Sequence, residues 1–292
     1  MFEGSYVALI TPFNEKGEIN EKGLEKLIKF HINNGTNGIV TCGTTGESAT
    51  LSHDERKKVV ELAIKYTEAK IPVIAGTGSS STKETIDLTY HAKQKGADAA
   101  LIIVPYYNKP DQRGIYAHFK TITEEVDIPI IVYNIPSRTG INLLPDTLVE
   151  LIKIKNIVGV KEASGDLDQI IKIVSVCGEK IDILSGDDNL LLPILAIGGK
   201  GIISVTANII PKEFSNMVKL FREGYYKEAK DLFLNKIYPI SKAMFIEPNP
   251  APIKASLELM GLPAGSPRLP MYPASTSLKL KLKEILIQHG II

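Results

Sequence analysis

Cysteine and tryptophan are the residues that this sequence has least of. Its 292 residues include two cysteines and no tryptophan. Cys42 and Cys177 are too few for the disulfide framework of a small secreted protein, and they lack the spacing of a zinc site. The five histidines are scattered, without the short spacings that metal ligands show. The sequence therefore predicts a reduced protein with no metal and no cofactor.

An excess of charge of either sign is also missing. Lysine and arginine number 34 and aspartate and glutamate 33, so the formal net charge is +1, and the two signs are interspersed. This balance argues against a nucleic-acid or anionic-membrane partner, either of which needs a basic face. No apolar run has the length of a membrane span, and the opening MFEGSYVALITPF lacks the features of a secretory signal. We therefore expect a cytoplasmic protein.

What the sequence does contain is a regular alternation of short β-branched runs with helical patterns. Eight such runs occur, from SYVALITPF to GIISVTAN. Asn20 is placed to cap the first helix, and Ser52 with Glu55 forms a capping box at the start of the second. Eight strand–helix units predict an α/β protein whose parallel strands close into a (β/α)8 TIM barrel. The alternative, an open doubly wound sheet, usually has fewer strands.

The last part of the chain has a different pattern. After about residue 225 only helical segments remain, and the Pro-rich connectors EPNPAP and PAGSPRLPMYPAS separate them. We predict a catalytic barrel domain of residues 1–224 and a C-terminal helical domain of residues 225–292.

A lysine ends the apolar run IVGVKEASGD, which starts at Ile157. Because side chains alternate along a strand, Lys161 shares a face with Gly159 and Ala163, which leaves room for it inside a barrel, while Val158 and Val160 face the helices. Burial disfavours a charged ammonium group, and a neutral amine can form a Schiff base with a carbonyl compound. The alternative is a lysine that leaves the barrel mouth and pairs with Glu162 or an aspartate.

Three further groups stand at strand ends, where barrel enzymes build their active sites. Tyr133, at the end of the preceding strand, can reach the same cavity and move protons, or it can simply fill the barrel. The string GTTGE, with Thr44 and Thr45, can form a small nest for a carboxylate or a phosphate. Arg138, in PSRTG, can grip a carboxylate or can be an ordinary surface arginine. Taken together, the four groups describe an enzyme that joins a keto acid to an acid-bearing aldehyde.

The sequence resembles the dihydrodipicolinate synthase family of the pyruvate-dependent class I aldolases over essentially its whole length. The motifs that carry the resemblance occur in order, and they are CGTTGES, VPYYNKPDQRGIYAHF, YNIPSRTG, GVKEASGD and EPNPAPIK. The resemblance implies a lyase with 4-hydroxy-tetrahydrodipicolinate synthase activity. That reaction is a Schiff-base condensation of pyruvate with L-aspartate-4-semialdehyde, on the diaminopimelate route to lysine.

The same resemblance implies a role for each matching residue. Lys161 forms the Schiff base, and Tyr133, Thr44 and Tyr107 form a proton relay, with Tyr107 expected to reach in from a neighbouring subunit. The residues expected to bind substrate are Thr45 for the pyruvate carboxylate, Arg138 for the semialdehyde carboxylate, and the backbone near Gly186 and Ile203. A tyrosine shared between subunits implies a dimer-based homo-oligomer, and the family is commonly tetrameric.

One departure from the family pattern concerns regulation by L-lysine. The positions that agree with the allosteric lysine pocket of inhibited members are Ser48, Ala49, His53, Glu84 and Tyr106. Arg56 and Ser80 differ, because the family pattern has histidine and asparagine there. An arginine beside the lysine ammonium repels it, so weak or absent inhibition is predicted.

Two rival functions remain at this point. The first is a sister pyruvate aldolase, such as N-acetylneuraminate lyase or a keto-deoxy-sugar acid aldolase, which would not need Arg138 for a sugar aldehyde. The second is a barrel that has lost catalysis and only binds small acids or a partner protein. A barrel without catalysis is expected to have lost some of the catalytic residues. All four are present in this sequence: Lys161, Tyr133, Thr44 and Arg138.

Overall fold

The computed structural model describes residues 1–292, and its centre is a closed barrel of eight strands. Each strand lies beside the next one in the chain, and the recorded pairings are parallel, as in a (β/α)8 fold. The predicted barrel is thereby confirmed. The strands are β1 Gly4–Ala8, β2 Gly38–Thr41, β3 Val73–Gly76, β4 Ala99–Ile103, β5 Ile130–Asn134, β6 Ile157–Glu162, β7 Asp182–Ser185 and β8 Gly201–Ser204.

Helices follow the strands and also form most of the C-terminal part of the chain. The α-helices are α1 Glu21–Asn33, α2 His53–Thr67, α3 Thr82–Lys95, α4 Gln112–Glu125, α5 Pro136–Thr139, α6 Pro145–Leu151, α7 Leu167–Cys177, α8 Leu191–Ala196, α9 Pro211–Arg222, α10 Tyr226–Leu232, α11 Tyr238–Ala243, α12 Ala251–Leu259 and α13 Thr276–Gln288. Two 3-10 turns, Asp188–Leu190 and Thr206–Asn208, and one π-helical stretch, Phe233–Ile237, complete the set. None of these helices is both long and apolar enough to cross a membrane.

The predicted helix starts are confirmed. The Asn20 side chain accepts the Gly23 N–H at 2.9 Å, which satisfies one of the free donors in the first turn of α1. At α2, Ser52 and Glu55 each accept the other's backbone N–H, as a capping box requires. The sequence patterns did not single out α5 or α9, each of which begins directly at a proline.

The chain divides into two compact units. The central unit comprises residues 1–4 and 74–203, and the flanking unit comprises residues 5–73 and 204–292. In the central unit an apolar cluster joins the strands to their helices, with Val132 and Val160 packed beside Ile115, Phe119 and other fully buried side chains. Burial on this scale supplies most of the favourable free energy of folding.

The flanking unit contains the pairing of β1 with β2, in which Val7 lies opposite Ile39. Its helix α12 is unusual because every residue from Ala251 to Leu257 is buried, including Lys254. Asn208 fixes the end of β1, since its amide donates to the Ala8 carbonyl at 2.8 Å and its oxygen accepts the Ile10 N–H at 3.2 Å. The strand exit is therefore held by side-chain hydrogen bonds.

The register between β5 and β6 contains one irregular step. Ile130 lies opposite Ile157, but Ile131 lies opposite Gly159, so Val158 is left without a partner in a β-bulge. Because of the bulge, Ile157 joins Val160 in the apolar cluster, and Val158 is only half-buried. The prediction that Val158 faces the helices rested on strict alternation, which does not hold through the bulge.

Candidate active site

The most informative contact of the central unit joins Lys161 and Tyr133. They lie opposite each other in the register of β6 and β5, and the Lys161 Nζ is 4.2 Å from the centroid of the Tyr133 ring. Each residue is only 5% exposed. The strand ends thus bring together a buried amine and the ring of a tyrosine, as the alternation pattern predicted.

Gly186, directly after β7, leaves the space that the Lys161 side chain uses. A Cβ atom at Gly186 would lie 3.1 Å from Lys161 Cε and 2.6 Å from the Ala163 Cβ. The Gly186 N–H also donates to the Glu162 carbonyl at 2.7 Å. Any larger residue here would displace the lysine stem or the end of β6.

Glu162 was the alternative partner for Lys161, but its carboxylate is engaged elsewhere. Its Oε1 accepts the Ser164 N–H at 2.8 Å, and its Oε2 accepts from the Asn134 amide at 3.1 Å. Burial raises the pKa of this carboxyl group, while these hydrogen bonds lower it. Glu162 therefore supports the backbone behind the site.

Asp187 is a titratable group of the site that the sequence patterns did not single out. Burial raises its pKa to about 6, with a further contribution from Asp188, while the positive charge of Lys161 lowers it. Asp187 therefore changes charge near neutral pH close to the amine. The string SGDD at the end of β7 was a visible signal, but a polar strand exit alone does not reveal the burial that shifts the pKa.

The other predicted residues of the central unit have contrasting surroundings. Ile203 is fully buried in β8. Arg138 is exposed in α5, which a left-handed Gly140 ends. Tyr107 is 91% exposed, with a φ of 70° that a non-glycine residue rarely adopts. Neither Arg138 nor Tyr107 is packed into the protein, so each is available to a ligand or to another chain.

In the flanking unit, the GTTGE string forms a tight loop after β2. Thr45 is 2% exposed, and its hydroxyl oxygen accepts a hydrogen bond of 3.0 Å from the Asn249 amide. Thr44 is half-buried, and its carbonyl accepts the Glu47 N–H at 3.1 Å. Asn249 lies within the motif EPNPAPIK, but no local pattern assigns it a role, because only the fold brings it to Thr45.

A buried ion pair supports this loop. Glu47 and Lys254 have side chains 2% and 1% exposed, and their charged atoms are 2.5 Å apart. Burial lowers the pKa of Lys254, and the charge of Glu47 opposes that shift. Glu47 also accepts the Arg268 N–H at 2.8 Å, while Lys254 and Arg268 both lie over the Phe13 ring. The loop therefore has fixed support from the C-terminal segment.

Metal ligands are not grouped anywhere in the structure: no three His, Cys, Asp or Glu side chains are arranged to hold an ion. The reactive groups that the structure does assemble are the amine of Lys161, the hydroxyl of Tyr133 and the carboxyl group of Asp187. These groups suit chemistry that begins with a nucleophilic amine and moves protons.

Comparison with known proteins gives a consistent picture. The model of the dihydrodipicolinate synthetase family matches residues 1–289. A 4-hydroxy-tetrahydrodipicolinate synthase of Geotalea uraniireducens (strain Rf4) is 50% identical over 292 residues, which cover 100% of both chains.

Solved structures agree with the sequence match. A crystal structure of dihydrodipicolinate synthase from Aquifex aeolicus has a TM-score of 0.97 at 47% identity and covers 99% of both chains. A structure of the chloride-inhibited dihydrodipicolinate synthase from Acinetobacter baumannii, complexed with pyruvate, has a TM-score of 0.98 at 44% identity and covers 100% of both chains.

Proposed function

This chain belongs to the dihydrodipicolinate synthetase family, and from that membership we propose that Lys161 is the nucleophile of its reaction. The activity is that of a lyase, 4-hydroxy-tetrahydrodipicolinate synthase, which condenses pyruvate with L-aspartate-4-semialdehyde. The observation that carries the assignment to Lys161 is its buried amine, 4.2 Å from the Tyr133 ring centroid at the carboxyl end of β6.

The proposed sequence of steps begins at the pyruvate carbonyl. The Lys161 amine adds to C2 of pyruvate, and loss of water from the carbinolamine leaves a Schiff base. Tyr133 is placed beside the amine to give and take protons in these steps, and Thr44 is proposed to extend the relay. Removal of a proton from C3 then gives the enamine. Its carbon forms the new bond to the aldehyde carbon of the second substrate.

Ring closure releases the enzyme. The amine of the incoming semialdehyde attacks the former C2 carbon, and the bond from that carbon to the Lys161 nitrogen breaks. The free amine is thereby regenerated without an external reductant or oxidant. The release requires that protons move between two nitrogens and the hydroxyl relay, a task that suits a tyrosine beside the amine.

Two carboxylates must be held while the bonds form. We assign the pyruvate carboxylate to Thr45 and to the backbone near Gly186 and Ile203. We assign the semialdehyde carboxylate to Arg138, whose exposed guanidinium is free to form a two-pronged pair. A sister aldolase acting on a sugar aldehyde would have no carboxylate for Arg138. The family match over residues 1–289 favours the synthase over that alternative.

Trapping with borohydride tests the assignment to Lys161. The protein is incubated with pyruvate and reduced, and the modified peptide is mapped by mass spectrometry. We expect a pyruvate-derived adduct on Lys161 and none on Lys254, a second buried lysine whose charge is paired with Glu47. The variant Lys161→Ala should give no adduct and lose activity by about 1,000-fold or more. An adduct elsewhere, or none on folded protein, would overturn the assignment.

Tyr107 is proposed to complete the relay from a neighbouring subunit of a dimer-based oligomer, consistent with its 91% exposure. Mixed oligomers test this. Lys161→Ala and Tyr107→Phe are each expected to be nearly inactive, but a mixed dimer contains one site with both an intact lysine and an intact tyrosine. Recovery of activity on mixing supports the shared site, and no recovery in verified mixed dimers contradicts it.

A cytoplasmic location stays a prediction, which fractionation of the source cells would test.

A further inference from the structure

The segment of residues 135–144 carries Arg138 between β5 and α6. Its first half is α5, and the Thr139 hydroxyl oxygen is 3.1 Å from the Ile135 carbonyl and 2.8 Å from the Ile141 carbonyl. Gly140 turns the chain with a φ of 73°. The segment is thus a compact loop that joins the exposed Arg138 to residues 141–144 through the Thr139 hydroxyl group and the Gly140 turn.

Asn134, at the end of β5, holds that second half. It is fully buried, and its Oδ1 accepts the Leu143 N–H at 3.0 Å. Its Nδ2 donates to the Asn142 Oδ1 at 2.8 Å. The residue that directly follows Tyr133 therefore binds both the backbone and a side chain of the Arg138 loop.

Glu162 fixes the orientation of the Asn134 amide. Its carboxylate is 1% exposed and accepts from the Asn134 Nδ2, opposite it in the strand register, and from the Ser164 N–H. A carboxylate that accepts from the nitrogen settles which end of the Asn134 side chain faces the loop. Because Glu162 directly follows Lys161, the support for the loop and the reactive amine share one strand end.

Two glutamines complete the attachment from neighbouring helices. Asn142 donates from Nδ2 to the Gln169 Oε1 at 2.7 Å, and the Gln169 Nε2 donates back to Asn142 Oδ1 at 3.2 Å. Gln112 donates to the Asn142 carbonyl at 2.8 Å, and its Oε1 accepts the Leu144 N–H at 3.1 Å. Asn142 is thus held from β5, α4 and α7 together.

We infer that Asn142, with Asn134 and Glu162, forms a positioning network for Arg138 and thereby sets where the semialdehyde carboxylate binds relative to the Lys161 amine. The inference rests on the proposed function, which assigns that carboxylate to Arg138. None of the three residues is proposed to contact the substrate. They act by fixing the loop to the strand ends that carry Tyr133 and Lys161.

Kinetics with both substrates test the network. Asn142→Ala should raise KM for the semialdehyde about 10-fold, because displacement of the loop weakens the binding of the semialdehyde carboxylate by Arg138. KM for pyruvate and the extent of borohydride trapping on Lys161 should stay within two-fold of the parent protein. In an Arg138→Ala background, Asn142→Ala should add less than a two-fold further loss, since both changes remove the same interaction.

Matched variants separate positioning from general stability. Asn156 is another half-buried asparagine, and its amide donates to Asp127 at 2.9 Å just before β6 begins, at the opposite end of the strand from Glu162. Asn156→Ala should leave both KM values unchanged. Glu162→Gln keeps one acceptor oxygen, for either the Ser164 N–H or the Asn134 amide, and should show the semialdehyde defect in part, whereas Glu162→Ala should show it in full. If Asn142→Ala does not fold, Gln169→Ala removes two of the same hydrogen bonds and should show the same substrate selectivity.

The outcomes are distinct for the two proposals. If Arg138→Ala raises KM for the semialdehyde but Asn142→Ala and Gln169→Ala do not, the network is not a positioning device and the proposed function stands. If the network variants weaken pyruvate and semialdehyde binding equally, their role is only structural, and the inference is overturned. If Arg138→Ala itself leaves the semialdehyde KM unchanged, Arg138 does not bind the semialdehyde carboxylate, and the positioning role of the network is overturned as well.

Discussion

Asn249 donates a hydrogen bond of 3.0 Å to the hydroxyl oxygen of Thr45, across 204 positions of sequence. Both residues are nearly inaccessible, at 5% and 2% exposure. A hydroxyl group whose oxygen already accepts one hydrogen bond can still donate its proton. Asn249 therefore leaves the Thr45 proton available for donation, as the role proposed for Thr45 at a carboxylate requires.

Asn249→Ala should raise KM for pyruvate about 5- to 10-fold, equivalent to about 1 kcal/mol for one lost hydrogen bond. KM for the semialdehyde should not change. The control is Asn34→Ala, which removes a side-chain hydrogen bond of 2.8 Å to Phe30 at the end of α1. An unchanged pyruvate KM in Asn249→Ala would remove Asn249 from the pyruvate site.

Gly186→Ala should lower kcat/KM by about 100-fold, because the new Cβ would collide with the end of β6 and displace the Lys161 stem. Borohydride trapping of pyruvate should fall with it. Gly178→Ala is a matched control, since its Cβ would lie 2.6 Å from the Val174 carbonyl oxygen at the end of α7. That variant should lose stability but trap pyruvate normally. Normal trapping in Gly186→Ala would show that the glycine is not needed for the lysine.

Asp187 should make stability depend on pH. Its pKa is about 6 in the folded protein against an ordinary value of 3.8, so between these values the folded state binds more protons than the unfolded state. Its contribution to the free energy of unfolding should therefore decline as pH rises from about 4 to about 6.

Asp187→Asn should remove that decline and be about 1–2 kcal/mol more stable than the parent at pH 7. Urea unfolding at fixed protein concentration across this pH range measures the difference. Asp146→Asn, at a carboxylate 86% exposed, should leave the pH dependence as it is. A parent and an Asp187→Asn variant with parallel pH curves would contradict the shifted pKa.

L-Lysine should inhibit weakly or not at all, because Arg56 stands where the family pattern has histidine. Arg56 is itself 6% exposed, so its charge is not fully screened by water. The double variant Arg56→His with Ser80→Asn should become at least about 10-fold more sensitive to L-lysine, since a like charge is removed and an amide is gained. Initial rates against L-lysine concentration measure this. Clear inhibition of the parent protein at sub-millimolar L-lysine would refute the prediction.

Much of the fold could be predicted from the sequence because local patterns encode it. Alternation of strand and helix patterns predicted eight strands, and the polar groups at their ends pointed to the carboxyl edge of the barrel. The pairing of Tyr133 with Lys161 followed from the order of the strands, since consecutive parallel strands in a barrel are neighbours. Helix starts at Asn20 and Ser52 were visible because capping needs only residues a few positions apart.

Other parts of the site depend on distant contacts that no local pattern contains. The shifted pKa of Asp187 arises from burial, which only the folded chain creates. The partners Asn249 and Thr45 come from opposite ends of the sequence. The unpaired Val158 could not be predicted either, because a bulge is a property of two strands together.

That bulge has a consequence for how the reactive pair could arise or be lost. With regular pairing onward from Ile130 and Ile157, Tyr133 would stand opposite Val160, and Lys161 would stand opposite Asn134. With Val158 in the bulge, Lys161 lies opposite Tyr133, and Glu162 lies opposite Asn134. A register in which Val158 paired with Ile131 would therefore separate Lys161 from Tyr133 without changing any residue, whereas deletion of Val158 would remove only the bulge and leave the two residues opposite each other.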